Sequence, residues 1–208
     1  MSEKPVERRF ADALVKARAE WAAADAAACA ARAGCRFEGD TALVPFLGRT
    51  HSVTHPDGEV TARGGDGAVH VATAVMLLHY LLTADGTPPA GEWAAYRELP
   101  GCLFYAAAFA GRAEAPLARR FGGSAAAAVA LAAAAEPLAG ERLALADVAF
   151  RFQALPRVAV AALVWAGDEE FPGSATVLFD GAAGHYLPPE DLAGLGGLLA
   201  QRLIAAAG

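Results

Sequence analysis

The chain has 208 residues, 55% of them hydrophobic, and carries 17 basic against 23 acidic side chains for a formal net charge of −6. That length supports one core burying about 70% of the unfolded surface. The acidic balance argues against nucleic acid or an anionic membrane as the main partner.

Taken from its start, MSEKPVERRF runs into a charged helical pattern without the apolar run of a signal segment, which predicts the cytoplasm. No uninterrupted apolar run is long enough for a membrane span, because the alanine-rich stretch after Gly123 is weakly hydrophobic and broken by Glu136 and Pro137. Residues 5–33 read as one long helix with Phe10, Leu14, Ala17 and Trp21 on a single stripe, ending at Gly34. Residues 35–37, 42–47 and 49–54 are short β-type runs separated by Gly39-Asp40, Gly48 and Pro56-Asp57-Gly58, which are hairpin signals. Residues 69–85 are apolar almost all round and predict a buried central helix, stopped by Gly86 and Pro88-Pro89.

Residues 103–135 predict two or three helices interrupted at Gly111, Pro116 and Gly122-Gly123. From Asp147 to Leu155, Val148, Phe150 and Phe152 alternate with Ala149, Arg151 and Gln153, the period of a strand with one wet face. Residues 158–165 and 176–179 are β-branched apolar runs joined by the acidic turn 167–173, and together these form an antiparallel meander. Pro188-Pro189-Glu190-Asp191 opens a last helix with acids at its positive dipole end. Strand and helix blocks are segregated, so the class is α+β: an antiparallel sheet of early hairpins and a C-terminal meander, packed with several helices. The expected organisation is one domain over residues 1–208, with 1–34 as a helix packed on it.

Asp168, Glu169 and Glu170 lie between Trp165 and Phe171-Pro172. Such a turn either gathers oxygen ligands or a general base, or is a solvated loop whose aspartate caps backbone amides. His79-Tyr80, within the most apolar helix, offers either an axial imidazole for a heme or corrinoid metal, or a satisfied core histidine. His51 and His55 share one face of a strand, and His185-Tyr186 lies beside Asp180 at the entry to the last helix. None of these spacings defines a metal site. Trp93, Tyr96, Phe104 and Tyr105 flank glycines and Pro100 in a loop suited to a flat apolar ligand or to core packing. Arg112, Arg119 and Arg120 can clasp an acid or phosphate, or form a paired helix surface. Cys29, Cys35 and Cys102 match neither a redox pair nor a zinc knuckle and read as reduced, mostly buried thiols. Ser124 and Ser174 sit outside GxSxG, and no GxGxxG or GxxxxGK[ST] loop occurs.

The blocks LLHYLLTADGTPPAGEW, YAAAFAGRAEAPLARRFG, LPRVAVAALVWAGDEEFP and VLFDGAAGHYLPPEDL, from about His79 into the last helix, resemble the uncharacterised bacterial and archaeal family called domain of unknown function 3786. The resemblance supplies no activity. Some relatives look like fusions to a cysteine-rich iron-sulfur module of the kind found with corrinoid proteins of anaerobic one-carbon metabolism. With three cysteines this chain lacks a four-cysteine motif, so it is expected to bind no cluster alone.

The leading expectation is a cytoplasmic binding or accessory domain for a small molecule or cofactor, a tetrapyrrole or corrinoid among them. His79, Tyr80, Trp165, Asp168, Glu169, Glu170 and His185 are placed near its pocket. One rival is a metal-assisted or acid-base enzyme with Glu169 or Glu170 as base and His185 as partner. The other is an interaction module whose acidic turn docks a basic protein. The alanine-rich helix at 124–135 offers close packing for a homodimer.

Overall fold

The computed structural model describes residues 5–64 and 68–208, the side chains of 5–8, 125 and 128 aside. The first four residues of the helix expected over 1–34 lie outside that range. The rest of that segment forms two helices, α1 (Pro5–Ala23) and α2 (Ala26–Arg32). Asp25 makes the break: its backbone is extended and its carboxylate accepts from the Ala28 N–H at 3.0 Å, capping α2. An aspartate that can cap a new helix competes with continuing the old one. The expected stripe survives in α1, where Ala17 and Trp21 are fully buried and Trp21 Nε1 donates to the Thr54 carbonyl at 2.8 Å.

The hairpin signals become a four-stranded antiparallel sheet, β1 (Arg36–Glu38), β2 (Thr41–Phe46), β3 (Arg49–Thr54) and β4 (Val60–Ala62), in that spatial order. Alternation sends Ala42, Val44, Phe46, His51 and Val53 into the core and leaves Arg36, Leu43, Pro45, Thr50 and Ser52 on the opposite face. The β2–β3 turn is Leu47-Gly48, both left-handed at φ 46° and 79°, the backbone a two-residue hairpin turn requires. Leucine rarely adopts that conformation. It is held there by burial of its side chain and by its N–H, which donates to the Ala154 carbonyl at 2.9 Å.

The apolar run at 69–85 forms α3 (Val71–Thr83), capped by the His70 side chain and packed against α1. The aromatic loop after it contains a short strand, β5 (Trp93–Ala95). Next come α4 (Ala106–Phe109), a π-helical turn over Ala110–Glu114, α5 (Ala115–Phe121) and α6 (Ala125–Ala135), the last capped by Ser124 Oγ on the Ala127 N–H. The chain then forms β6 (Glu141–Leu143), β7 (Val148–Leu155), β8 (Val158–Trp165) and β9 (Ser174–Asp180), and closes with α7 (Pro189–Ala206).

These later strands build a second antiparallel sheet in the order β5-β9-β8-β7-β6. The architecture is α+β with two sheets, where the sequence suggested that hairpins and meander shared one. The reason is geometric: Leu47 bonds β7 by its backbone at the bulged end of that strand, and among the described residues no ladder bridges the sheets. One core joins them, with Phe46 and Val44 from the first sheet, Phe152, Val160 and Phe179 from the second, and Leu77, Leu195 and Leu199 from α3 and α7. The outer face of the second sheet is covered by a satellite cluster of Ala149, Ala161 and Leu163 beneath Trp93, Trp165 and Leu178.

Candidate functional site

The side chains singled out from the sequence divide between two ends of the β8–β9 hairpin. Trp165 and the turn carrying Asp168, Glu169 and Glu170 lie at one end, since Trp165 pairs with Ser174. His185 comes after Asp180 at the other. The six rises of β9 separate these ends by about 20 Å. The hairpin thus holds Glu169 and Glu170 apart from His185, their expected partner. Asp168 caps its own turn, accepting from the Glu170 and Phe171 N–H groups at 2.8 Å, bonds that hold its carboxyl below the usual carboxylate range. Glu169 and Glu170 are exposed. The turn docks through its backbone, Gly167 N–H donating to the Gly122 carbonyl at 2.7 Å.

At the other end the polar groups tie loops together. The Asp180 carboxylate, 5% exposed, accepts from the N–H groups of Ala90, Gly91 and Ala182, all at 2.9 Å. His185 Nδ1 lies 2.7 Å from Asp85 and 3.3 Å from Thr87 Oγ1, and Tyr186 donates to the Thr87 carbonyl. The Thr87 backbone N–H and then His185 lower the Asp85 carboxyl to about 2. His79 Nδ1 meets Asp191 at 2.6 Å, joining α3 to the start of α7, and this bond outweighs burial to raise the imidazole's pKa. Tyr80 is fully buried rather than facing a ligand: it donates to the Ala33 carbonyl at 2.5 Å and accepts from Arg157 N–H at 3.1 Å, and burial pushes its ionisation up. Among the described residues no three His, Cys, Asp or Glu side chains group as cation ligands.

A cavity of about 620 Å³, which no sequence motif marks, opens on the outer face of the first sheet. Its lining includes Arg36, Arg49 and Arg63, with Leu43, Pro45 and Thr50 between them and Gly34 and Gly48 at the rim. Strand register assembles it: Arg36 pairs with Leu43, Pro45 with Thr50, and Arg63 N–H donates to the Thr50 carbonyl at 2.9 Å. Arg63 Nε is aimed by Ser52 Oγ at 3.1 Å, and Arg36 pairs with Glu38. Arg49 has no carboxylate partner among the described residues. The cup is anchored from behind. Arg202 of α7 donates to the Leu47 carbonyl at 3.1 Å with its guanidinium 5.4 Å from the Phe46 ring, while Tyr80 fixes Ala33, beside the rim glycine. His51, 4% exposed behind the cup, has its pKa lowered first by burial and then by Arg202 and Arg49.

A second, smaller cavity of about 290 Å³ lies beside Tyr96, Phe109, Glu114 and Thr176. Tyr96 stacks on Phe109 at 4.3 Å and belongs to the core, whereas Phe104 and Tyr105 of the expected aromatic loop are exposed. Of the candidate arginine clasp, Arg120 instead caps the end of α7 through the Ala207 carbonyl at 2.7 Å. The three cysteines are unbridged, and burial pushes the Cys35 thiol up to about 12.

Fold and site together define a two-sheet α+β protein with an arginine-lined cup open on its smaller sheet. The chain belongs to the family described as domain of unknown function DUF3786, whose pattern matches residues 25–202. That span begins well before His79 and takes in both Arg36 and Arg63. No curated protein and no solved structure matches the chain. No helix among the described residues is long and apolar enough to cross a membrane.

Proposed function

We propose that this protein is a cytoplasmic binding or accessory domain whose ligand is an anionic small molecule seated in the arginine cup. The observation that carries the reading is a cavity of about 620 Å³ with Arg36, Arg49 and Arg63 in its lining, in a chain whose net charge is −6. That volume is in the range of metabolite and drug sites. A concave site of one sign concentrates ligand of the other. Guanidinium groups favour planar, bidentate acids.

Phenyl phosphate and benzoate, set against neutral benzyl alcohol in a thermal melt, test it. At ten times its Kd a ligand stabilises by about 1.4 kcal/mol, a rise of roughly 3–6 °C for a chain of this size. The expected result is a shift with the anions, none with the alcohol, and loss of the shift in an R36A/R63A double variant. Equal or absent shifts with all three compounds sink the reading.

An acid-base enzyme keeps one supporting observation, the 2.6 Å pairing of His79 Nδ1 with Asp191, which fixes an imidazole as carboxylates do in catalytic dyads. Neither described cavity is lined by His79. Binding at the cup therefore stands ahead of it.

A further inference from the structure

We propose that this chain forms a two-fold homodimer in which Phe104 of each copy inserts into the cavity beside Tyr96 and Phe109 of the other. That surface shares no residue with the arginine cup and is independent of the anion reading.

From Pro100 to Gly111 the chain carries no charged side chain. The stretch is pinned at two points: Cys102 and Phe109 are buried, and Phe109 stacks on Tyr96 at 4.3 Å. Between them Leu103, Phe104 and Tyr105 form one tight 3₁₀ turn, closed by the Tyr105 N–H on the Cys102 carbonyl at 3.0 Å. Their side chains stay outside, 67%, 94% and 53% exposed. Single exposed apolar residues are ordinary, but three in a row on an anchored turn make a patch of the kind that marks an interface.

The hole lies on the same surface as the knob. Ala107, one turn after Phe104, lines the cavity of about 290 Å³ together with Ala106 and Ala110. An apolar cavity of about 150 Å³ accepts benzene, so this one has room for a phenyl side chain. The Glu114 carboxylate in its wall is turned to the Val177 N–H at 3.1 Å, and Arg97 can stack on an inserted ring.

A knob beside its own hole is satisfied twice over by a two-fold axis, which sets each copy's knob against the other's hole. Charge favours the same contact. Copies at −6 repel, and an uncharged stretch is where that repulsion is weakest. Area is sufficient as well. At their exposures Phe104 and Tyr105 present about 300 Å², hence about 600 Å² over two copies. Leu103, Ala107, Ala108 and the cavity walls bring the total toward the 1,200 Å² or so at which specific interfaces begin.

Sedimentation equilibrium of the full chain tests the pairing. An interface of this size is expected to dissociate in the micromolar range, about 1–100 μM. F104D removes the knob and A107R fills the hole, and each is expected to weaken association about a hundredfold or more because both copies lose the contact. Both positions are exposed, so circular-dichroism melts of the two variants should match that of the unmodified chain. Mixed in equal amounts, the variants should associate again, since the intact knob of the A107R copy meets the intact hole of the F104D copy. V129E on α6, where the side chain is 67% exposed, should leave the dimer unchanged. An unmodified chain that stays monomeric through that range overturns the pairing. So does a dimer that survives F104D and A107R or is lost with V129E, and so does a mixture that fails to associate.

Discussion

Tyr80→Phe separates a structural tyrosine from a ligand-binding one. The hydroxyl is enclosed in the core, donating to Ala33 and accepting from Arg157, residues 47 positions before and 77 after it. Phenylalanine fills the same ring volume, so the loss is confined to two hydrogen bonds and to the carbonyl and N–H left behind. A net bond contributes about 1 kcal/mol, and a buried group left unsatisfied adds about 1–3 kcal/mol. Ala33 is fully buried and Arg157 half-buried, which places the sum at about 2–4 kcal/mol. In urea titration the midpoint should fall with the m-value unchanged, and the melting temperature should drop by roughly 5–12 °C. Cys35 Sγ, 3.8 Å from the Ala33 carbonyl, is too weak a donor to compensate. A stability loss below about 0.5 kcal/mol would refute the reasoning, because it would mean that the hydroxyl bridges nothing.

Asp191→Asn should weaken the α3–α7 junction in a pH-dependent way. His79 is raised in the fold, so its contribution is fully present below its ordinary pKa of 6.5 and is lost as pH rises through the higher folded value. The variant should lose about 1–2 kcal/mol near pH 6 and less at pH 9, read by urea midpoints; a loss that grows with pH would reverse the assignment. His51 carries the opposite sign: its pKa is lowered, so acidification below 6.5 favours the unfolded chain, and His51→Gln should flatten that limb of the stability profile. Gly173→Ala should destabilise severely, by about 3 kcal/mol or more, because the added Cβ would overlap the Gly122 carbonyl. Glu170→Lys three residues earlier should stay within about 0.5 kcal/mol, and a circular-dichroism melt distinguishes the two. Cys35, at about 12 against an ordinary 9.0, holds roughly a thousandfold less thiolate at pH 8, so iodoacetamide should modify it quickly only after denaturation.

Where burial and periodicity coincide, the sequence was readable. The alternation of Val148, Phe150 and Phe152 became β7, the all-round apolar run became α3, and Pro188-Pro189 with two acids opened α7. The α+β class comes from the segregation of these blocks. Three features depended on information of another kind. The helix break at Asp25 is a local contest between a cap and the helix around it, and alanine on both sides gives neither outcome a pattern. β5 is three residues long, too short for alternation to register. The division into two sheets is decided by which strand edges meet, a property of tertiary packing.

The candidate site was less legible. Aromatics, acids and histidines drew attention to Trp165, Asp168, Glu169, Glu170, His79, Tyr80 and His185, but the β8–β9 hairpin holds the acidic turn and His185 at opposite ends, His79 ties α3 to α7, and Tyr80 lies in the core. Arg36, Arg49 and Arg63 drew none, since each reads alone as a surface charge. Which of them share a face is set by strand register across the β1–β4 sheet, which their spacing of thirteen and fourteen positions does not reveal.

The most direct measurement is a map of where an anion binds. In ¹H–¹⁵N correlation spectra of the full chain titrated with phenyl phosphate, shifts should concentrate at residues 34–36, 43–50 and 61–63 and at the Arg63 Nε–H, with the loops at 85–91 and 165–172 unchanged. Shifts centred on His79 and His185, or on the acidic turn, would contradict the assignment of the ligand site to the arginine cup.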